Sequence, residues 1–411
     1  MLRKCYCKRS PNSFNLLNEK NEQQLLRQWV HRMYYLQGLN KSQIADRLGV
    51  SRPFVNKWTQ RESMDFTEDH RGWRRGKPRK WNKQTEVRIL QIHNYLQSNP
   101  LEFYSGASAV RQEWTRRYGL PGTPPLRTIG KIMKDLELTQ SPKKTKNKGA
   151  SRYLCYPEHS IYHLIGKRVL ELDFIGKKFI EGRSAPLNFI AFCFKLNPRM
   201  RYFERISGEK GSEIIRCSEG FFKQFEKPDV IKMDNGFAMA GTAPQPGTLS
   251  QVPLWILAQK IIPIYAVPRK PFSQASIEGN NSVFSRKFWN KHIFNSPEAV
   301  DELLATFNDA SLRYLGYQKP TESPAPLNFT PKVLFLRQVQ LREKKAGILL
   351  ASKVFELPDE YINYFVFAEW NLLTEQLTVF LEKDLKPEPI ENFIFPINPM
   401  TKQKLIKKKI I

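Results

Sequence analysis

Three stretches decide how this chain is read: LELDFIGKKF at residues 170–179, IKMDNGFAM at 231–239 and RKPFSQASIEGNNSVFSRKFW at 269–289. In the first, Leu170, Leu172 and Phe174 alternate with Glu171 and Asp173. That period of two marks a strand with one apolar and one polar face. In the second, the short strand Val230–Met233 ends at Asp234-Asn235-Gly236. In the third, the basic turn Pro268-Arg269-Lys270-Pro271 leads to a helix beginning near Ser273. Its spacing predicts a buried stripe of Ile277, Phe284 and Phe288, with Glu278 beside it and Ser282, Ser285 and Trp289 along the Glu278 face.

The neighbouring residues extend this pattern. Leu187–Leu196 and Arg201–Ile206 read as strands that complete an antiparallel meander with residues 168–175. Helix 211–226, helix 250–260 and strand Ile261–Val267 follow. Asp173, Asp234 and Glu278, with 60 and then 43 residues intervening, therefore fall in a first strand, at the end of a later parallel strand, and in a helix past the next strand. A lone Asp at a strand end is ordinarily a cap or simply solvated, and a lone Glu in a first helical turn is favoured by the helix dipole. Three carboxylates in these elements and this order form a candidate catalytic set. Hard divalent ions such as Mg²⁺ or Mn²⁺ take oxygen ligands and keep open positions for substrate phosphates. Two ions about 3.5–4 Å apart clamp the attacking and leaving oxygens of an in-line displacement, and Asp173 is placed to bridge them. Glu171, His159 and His163 have no matched role and read as structural or exposed.

The three stretches resemble the acidic motifs of the DDE transposases and retroviral-type integrases, over residues 165–320. The resemblance implies an RNase H-like α/β core with a mixed five-stranded sheet, metal-dependent cutting and joining of DNA, and Asp173, Asp234 and Glu278 as both catalytic and metal-binding residues. Lys270, Arg286 and Lys287 would then contact DNA phosphates. The spacing from Asp234 to Glu278 exceeds the family's usual one, an excess the loop GTAPQPGTLS can absorb. Retroviral integrases carry lysines where this chain has Ser282 and Ser285, and no His-His-Cys-Cys zinc unit precedes the core.

The chain has 411 residues, 41% of them hydrophobic, and a net charge of +27. That charge points to a polyanionic partner, nucleic acid before an acidic membrane. Residues 1–150 hold 30 basic and 12 acidic side chains, whereas residues 351–411 hold 8 and 9. No apolar run approaches the roughly 18–20 residues of a membrane span, and MLRKCYCKRS lacks the apolar region of a secretory signal. The five scattered cysteines do not suit a disulfide framework and fit a reducing compartment.

Within the basic third, SQIADRLGVSRPFVNKW (residues 42–58) resembles a helix-turn-helix. Small Ala45 and the Gly49 turn allow close helix approach, and Ser51 is placed as an N-cap. Arg52, Asn56 and Lys57 would face a major groove. A basic linker at 64–82 carries Arg74, Arg75, Lys77 and Arg79 and is expected to track DNA. Residues 83–140 read as a second helical DNA-binding unit presenting Arg127, Lys131 and Lys134. Its last helix would turn Leu126, Ile129, Ile132 and Leu136 inward.

The expected organisation is multidomain: helix-turn-helix domain 1–63, linker 64–82, second helical domain 83–140, linker 141–164, catalytic core 165–320, a small SH3-like β-barrel over 321–398 and a basic tail 399–411. The two helical units before the core and the β-rich module after it are similar to phage Mu-type transposases and their bacterial relatives. Residues 351–400 carry 3 basic and 9 acidic side chains, so that module suits an accessory protein as well as DNA. The resemblance implies a transposase acting on element ends and target DNA as a homo-oligomer, in the cytoplasm at the nucleoid. A catalytically inactive DNA-binding regulator and an RNase H-like nuclease are the alternatives.

Overall fold

The computed structural model describes residues 15–60, 81–139, 168–194, 199–240, 245–319, 329–342 and 345–411. The chain divides into two compact units, residues 1–82 and 83–411.

The first unit holds α1 (Asn15–Tyr35), α2 (Lys41–Leu48) and α3 (Arg52–Thr59). Asn40 and Gln43 form a reciprocal capping box at the start of α2, and Gly49 ends that helix in the left-handed region. The Ser51 hydroxyl accepts the Phe54 amide at the start of α3, as its position predicts. Val30, Ile44, Val55 and Trp58 are the buried centre of this three-helix unit. The basic linker residues Arg74, Arg75, Lys77 and Arg79 lie outside the described residues, as does linker 141–164.

The second unit opens with a helical bundle, α4 (Lys83–Ser98), α5 (Ala107–Tyr118) and α6 (Leu126–Asp135). The core follows: β1 (Val169–Lys178), β2 (Leu187–Phe194), β3 (Met200–Ile206), α7 (Gly211–Gln224), β4 (Val230–Met233), α8 (Phe237–Ala240), α9 (Gln251–Ala258), β5 (Ile262–Tyr265), α10 (Ala275–Val283) and α11 (Pro297–Leu315). The core strands run in the order β3-β2-β1-β4-β5. β1 pairs antiparallel with β2 and β2 with β3, while β4 and β5 lie parallel to β1. That order and direction is a mixed five-stranded core sheet, as expected from the three acidic stretches.

Both faces of the sheet are covered, which is why its strands are so apolar. Along β2, Ile190, Phe192 and Phe194 pack on the side of α7 and α9. The alternate residues Phe189, Ala191 and Cys193 pack on the side of α10 and α11. The α4–α6 bundle joins this second face. Phe103 packs on Phe307 with ring centres 4.8 Å apart, and the Tyr104 and Ser311 hydroxyls hydrogen-bond at 2.8 Å while buried. Leu126 is exposed and Met133 takes its place inside, because the bundle buries the Ile129–Met133 side of α6.

Further strands follow: β6 (Lys332–Gln338), β7 (Gln340–Arg342), β8 (Lys345–Leu350), β9 (Lys353–Glu356), β10 (Phe365–Asn371), β11 (Gln376–Lys383) and β12 (Lys386–Ile394). They do not stand apart as the small barrel expected over 321–398. β6 pairs parallel with β5, Ile264 opposite Leu334, and β10, β11 and β12 continue the same nine-stranded sheet. The apolar edge of β5 is thereby covered rather than left open. A separate three-stranded sheet, β7-β8-β9, contributes Ile348, Leu350 and Phe355 to the core cluster that holds Trp370 and Phe395. The expected basic tail is also different: Pro399–Lys407 forms helix α12, capped by the Asn398 side chain. Thr401 and Leu405, one turn apart, are buried, and Lys402 pairs with Glu375 at 2.6 Å. The lysines of TKQKLIKKKII concealed an apolar contact one turn wide.

Candidate active site

Asp173 sits in β1, half-buried and paired with Ala191 of β2. Asp234 follows β4 directly, and exposed Glu278 lies in the first turn of α10. The structure brings the three together: all line one cavity of about 450 Å³, with Asn235, Arg269 and Lys270 on its wall. Burial, then the charges of Asp234 and of Glu278, push the Asp173 carboxyl up to about 7. The neighbouring charges oppose ionisation of Asp173, and a proton on it or a bound cation beside it relieves that opposition.

Each residue of Asp234-Asn235-Gly236 has a distinct task. The Gly236 amide donates to Asp234 Oδ1 at 2.9 Å, a local turn that fixes the carboxylate. A Cβ at Gly236 would lie about 3.0 Å from both Asp234 oxygens, so any side chain there would press on that carboxylate. Asn235 Nδ2 donates to the Ala266 carbonyl at 2.6 Å, and its Oδ1 accepts from Arg337 Nη2 at 3.0 Å. Asn235 thus ties the β4 end to β5 and to β6. Arg337 is buried, and burial lowers its pKa to about 10.

Ile277 of α10, and Phe284 and Phe288 just beyond it, are fully buried, as their spacing predicts. Asn281, one turn after Glu278, donates from Nδ2 to Asp173 Oδ2 at 2.9 Å. Sequence reasoning missed Asn281, although its i+3 spacing from Glu278 puts both on one helix face. Beyond α10 the chain makes a π-helical turn, Phe284–Phe288, an irregularity frequent at functional sites. Arg286 and Lys287 lie on that turn and do not line the carboxylate cavity. Arg286 donates instead to the Ser282 carbonyl at 3.3 Å.

Lys270 does line the cavity, next to Arg269, whose backbone is left-handed at φ 57°. The same loop forms one wall of a second cavity of about 530 Å³, which Arg337 and Arg342 line from β6 and β7. The carboxylate pocket therefore opens beside a cationic one.

The remaining predicted contacts lie elsewhere. Arg52 and Asn56 are exposed on α3, and Asn56 Oδ1 accepts from Lys41 Nζ at 2.6 Å. Lys57 is half-buried, its Nζ 5.4 Å from the Trp58 ring centre. Arg127, Lys131 and Lys134 are exposed along α6, opposite buried Ile129 and Met133.

The donor set of the acidic cavity is all oxygen and carries an excess of negative charge, which fits a hard divalent cation. As the side chains stand, no group of three His, Cys, Asp or Glu among the described residues is close enough together to enclose a metal ion. No helix among the described residues is long and apolar enough to cross a membrane.

No family profile matches the chain, and no curated protein matches it by sequence. Solved structures do match. The catalytic core of BIV integrase aligns at 12% identity over 36% of this chain and 82% of that one, with a TM-score of 0.26. The simian T-cell lymphotropic virus intasome, in complex with the PP2A regulatory subunit B56 gamma, aligns at 12% identity over 76% and 99%, with a TM-score of 0.31. The Mos1 strand transfer complex aligns at 10% identity over 75% and 94%, with a TM-score of 0.26.

Proposed function

We propose that this protein is a DNA transposase of the DDE type, a polynucleotidyl transferase that cleaves 3′ ends and joins them to target DNA. The observation that carries the reading is the meeting of Asp173, Asp234 and Glu278, from three separate elements, in one open cavity. A Mg²⁺ or Mn²⁺ pair bound there would supply Lewis-acid activation and charge neutralisation for in-line phosphoryl transfer. Asp173, Asp234 and Glu278 would hold those ions, and the Asn281 amide would keep Asp173 turned toward the cavity. Arg269 and Lys270 on the rim would bind the phosphodiester and orient it for attack, first by water and then by the freed 3′-hydroxyl. Arg337 and Arg342 carry the same cationic wall onward from the rim.

Around this site, Arg52, Asn56 and Lys57 would read the element ends, while Arg127, Lys131 and Lys134, and Arg74, Arg75, Lys77 and Arg79 of the linker, would contact phosphates. Such joining brings two ends together, so assembly as a homo-oligomer on double-stranded DNA belongs to the reading. The test is to incubate the full chain and Mg²⁺ with a labelled duplex, made from the DNA that flanks its coding region, and a supercoiled plasmid. Transfer of label to the plasmid is expected. Cutting without joining would make the protein a nuclease, and binding without either would make it a regulator.

A further inference from the structure

Glu171 lies two residues before Asp173, and Lys232 two residues before Asp234. They are paired positions of the parallel strands β1 and β4. Both are buried, at 2% and 4% exposure, and Lys232 Nζ approaches Glu171 Oε1 at 3.5 Å. The other Glu171 oxygen, Oε2, accepts the backbone amide of Ile277 at 3.0 Å. Ile277 is the residue before Glu278, in the first turn of α10, whose N-cap residue Gln274 supplies no side-chain cap. The first amides of a helix have no intrahelical acceptor and need one from elsewhere. Here it comes from the strand that carries Asp173. Each of the three acidic stretches therefore contributes one member to a buried bracket: Glu171, Lys232 and the Ile277 amide. Successive side chains of a strand alternate in face, so Glu171 and Asp173 share one.

We propose that Glu171, with Lys232, is a positioning residue that sets the register of β1, β4 and α10, and so the spacing of Asp173, Asp234 and Glu278 toward a divalent cation. The proposal rests on the reading of those three carboxylates as a cation site. Glu171 touches no substrate; it acts through the helix that carries Glu278. Expected from the sequence to be structural or exposed, Glu171 is a buried group with a defined partner on each oxygen.

A charge left alone in the interior destabilises a protein whatever its other role, whereas a buried ion pair exchanged for apolar groups of similar size is commonly tolerated. Two neutral double variants therefore separate positioning from simple pairing. Glu171→Gln/Lys232→Met removes both charges and keeps an oxygen for the Ile277 amide. Glu171→Leu/Lys232→Met removes both charges and that acceptor, with similar volume. Mn²⁺ binding to the full chain, read by the paramagnetic resonance signal of free Mn²⁺, and thermal unfolding are measured for each.

The Gln/Met variant is expected to bind Mn²⁺ within about threefold of the unmodified protein, and the Leu/Met variant about 10–100-fold more weakly, the usual effect of losing a supporting hydrogen bond. The Leu/Met variant should also need more Mn²⁺ for half-maximal joining and recover at high Mn²⁺. Equal affinity in the two variants, whether both normal or both weakened, would overturn the positioning role. Asp234→Ala is the control for the site itself. If it binds Mn²⁺ as well as the unmodified protein does, the cation-site reading fails and takes the bracket with it. If Asp234→Ala loses the ion while both double variants keep it, the site stands and only the bracket is wrong.

Discussion

At Asp173, burial and the charges of Asp234 and Glu278 oppose ionisation until about pH 7. A carboxyl raised in the folded state binds its proton more tightly there than in the unfolded chain. Stability is therefore lost as pH rises from the ordinary carboxylate range to about 7, and the loss is complete above it. Asp173→Asn should raise the unfolding temperature of the metal-free protein by a few degrees at pH 8 and leave it unchanged at pH 4, while DNA joining disappears. Thermal scans at the two pH values check this; a lower unfolding temperature at pH 8 would contradict it. The positions of the three carboxylates were legible in the sequence: strand alternation places Asp173, the Asp-Asn-Gly turn Asp234, and the helical stripe after Pro271 Glu278. Asn281, Arg337 and the bracket at Glu171 were not, because they act on partners between 61 and 108 positions away, and no local periodicity encodes such a meeting.

The elements divide in the same way. β1 to β5, α7, α9 and α10 follow from hydrophobic period, and α3 follows from the Ser51 cap. The C-terminal strands were expected as a separate barrel because their turns and alternation specify strands but not which edge they join. The edge of β5 took β6. In α12, the lysines of Pro399–Lys407 and its flank masked Leu405, which is fully buried beneath the helix. Leu405→Ala should destabilise the second unit by about 2–4 kcal/mol, as for other buried leucines. Urea unfolding measures it; a change under about 0.5 kcal/mol, the range of surface substitutions, would mean that α12 does not hold the sheet.

Over the whole molecule, the net charge of +27 belongs to a chain that keeps three carboxylates in one cavity beside a cationic one. Replacing Arg127, Lys131 and Lys134 together with Ala should weaken DNA binding alike for all sequences. It should also flatten the dependence of log affinity on log salt by roughly 2–3, about 0.9 for each phosphate that is no longer neutralised. A salt titration with the full chain checks this, and an unchanged slope would remove α6 from the DNA-binding surface. The central claim is that Asp173, Asp234 and Glu278 act together on a divalent cation to transfer phosphoryl groups in DNA. The most direct measurement is the single-turnover rate of end joining in Mn²⁺ for the unmodified chain and for Asp173→Asn, Asp234→Asn and Glu278→Gln. The account predicts metal-dependent joining by the unmodified chain, and loss of at least about 1,000-fold in each variant with DNA binding retained, as for residues that act as one unit. Joining that persists in any one of the three variants, or that proceeds without a divalent cation, would contradict it.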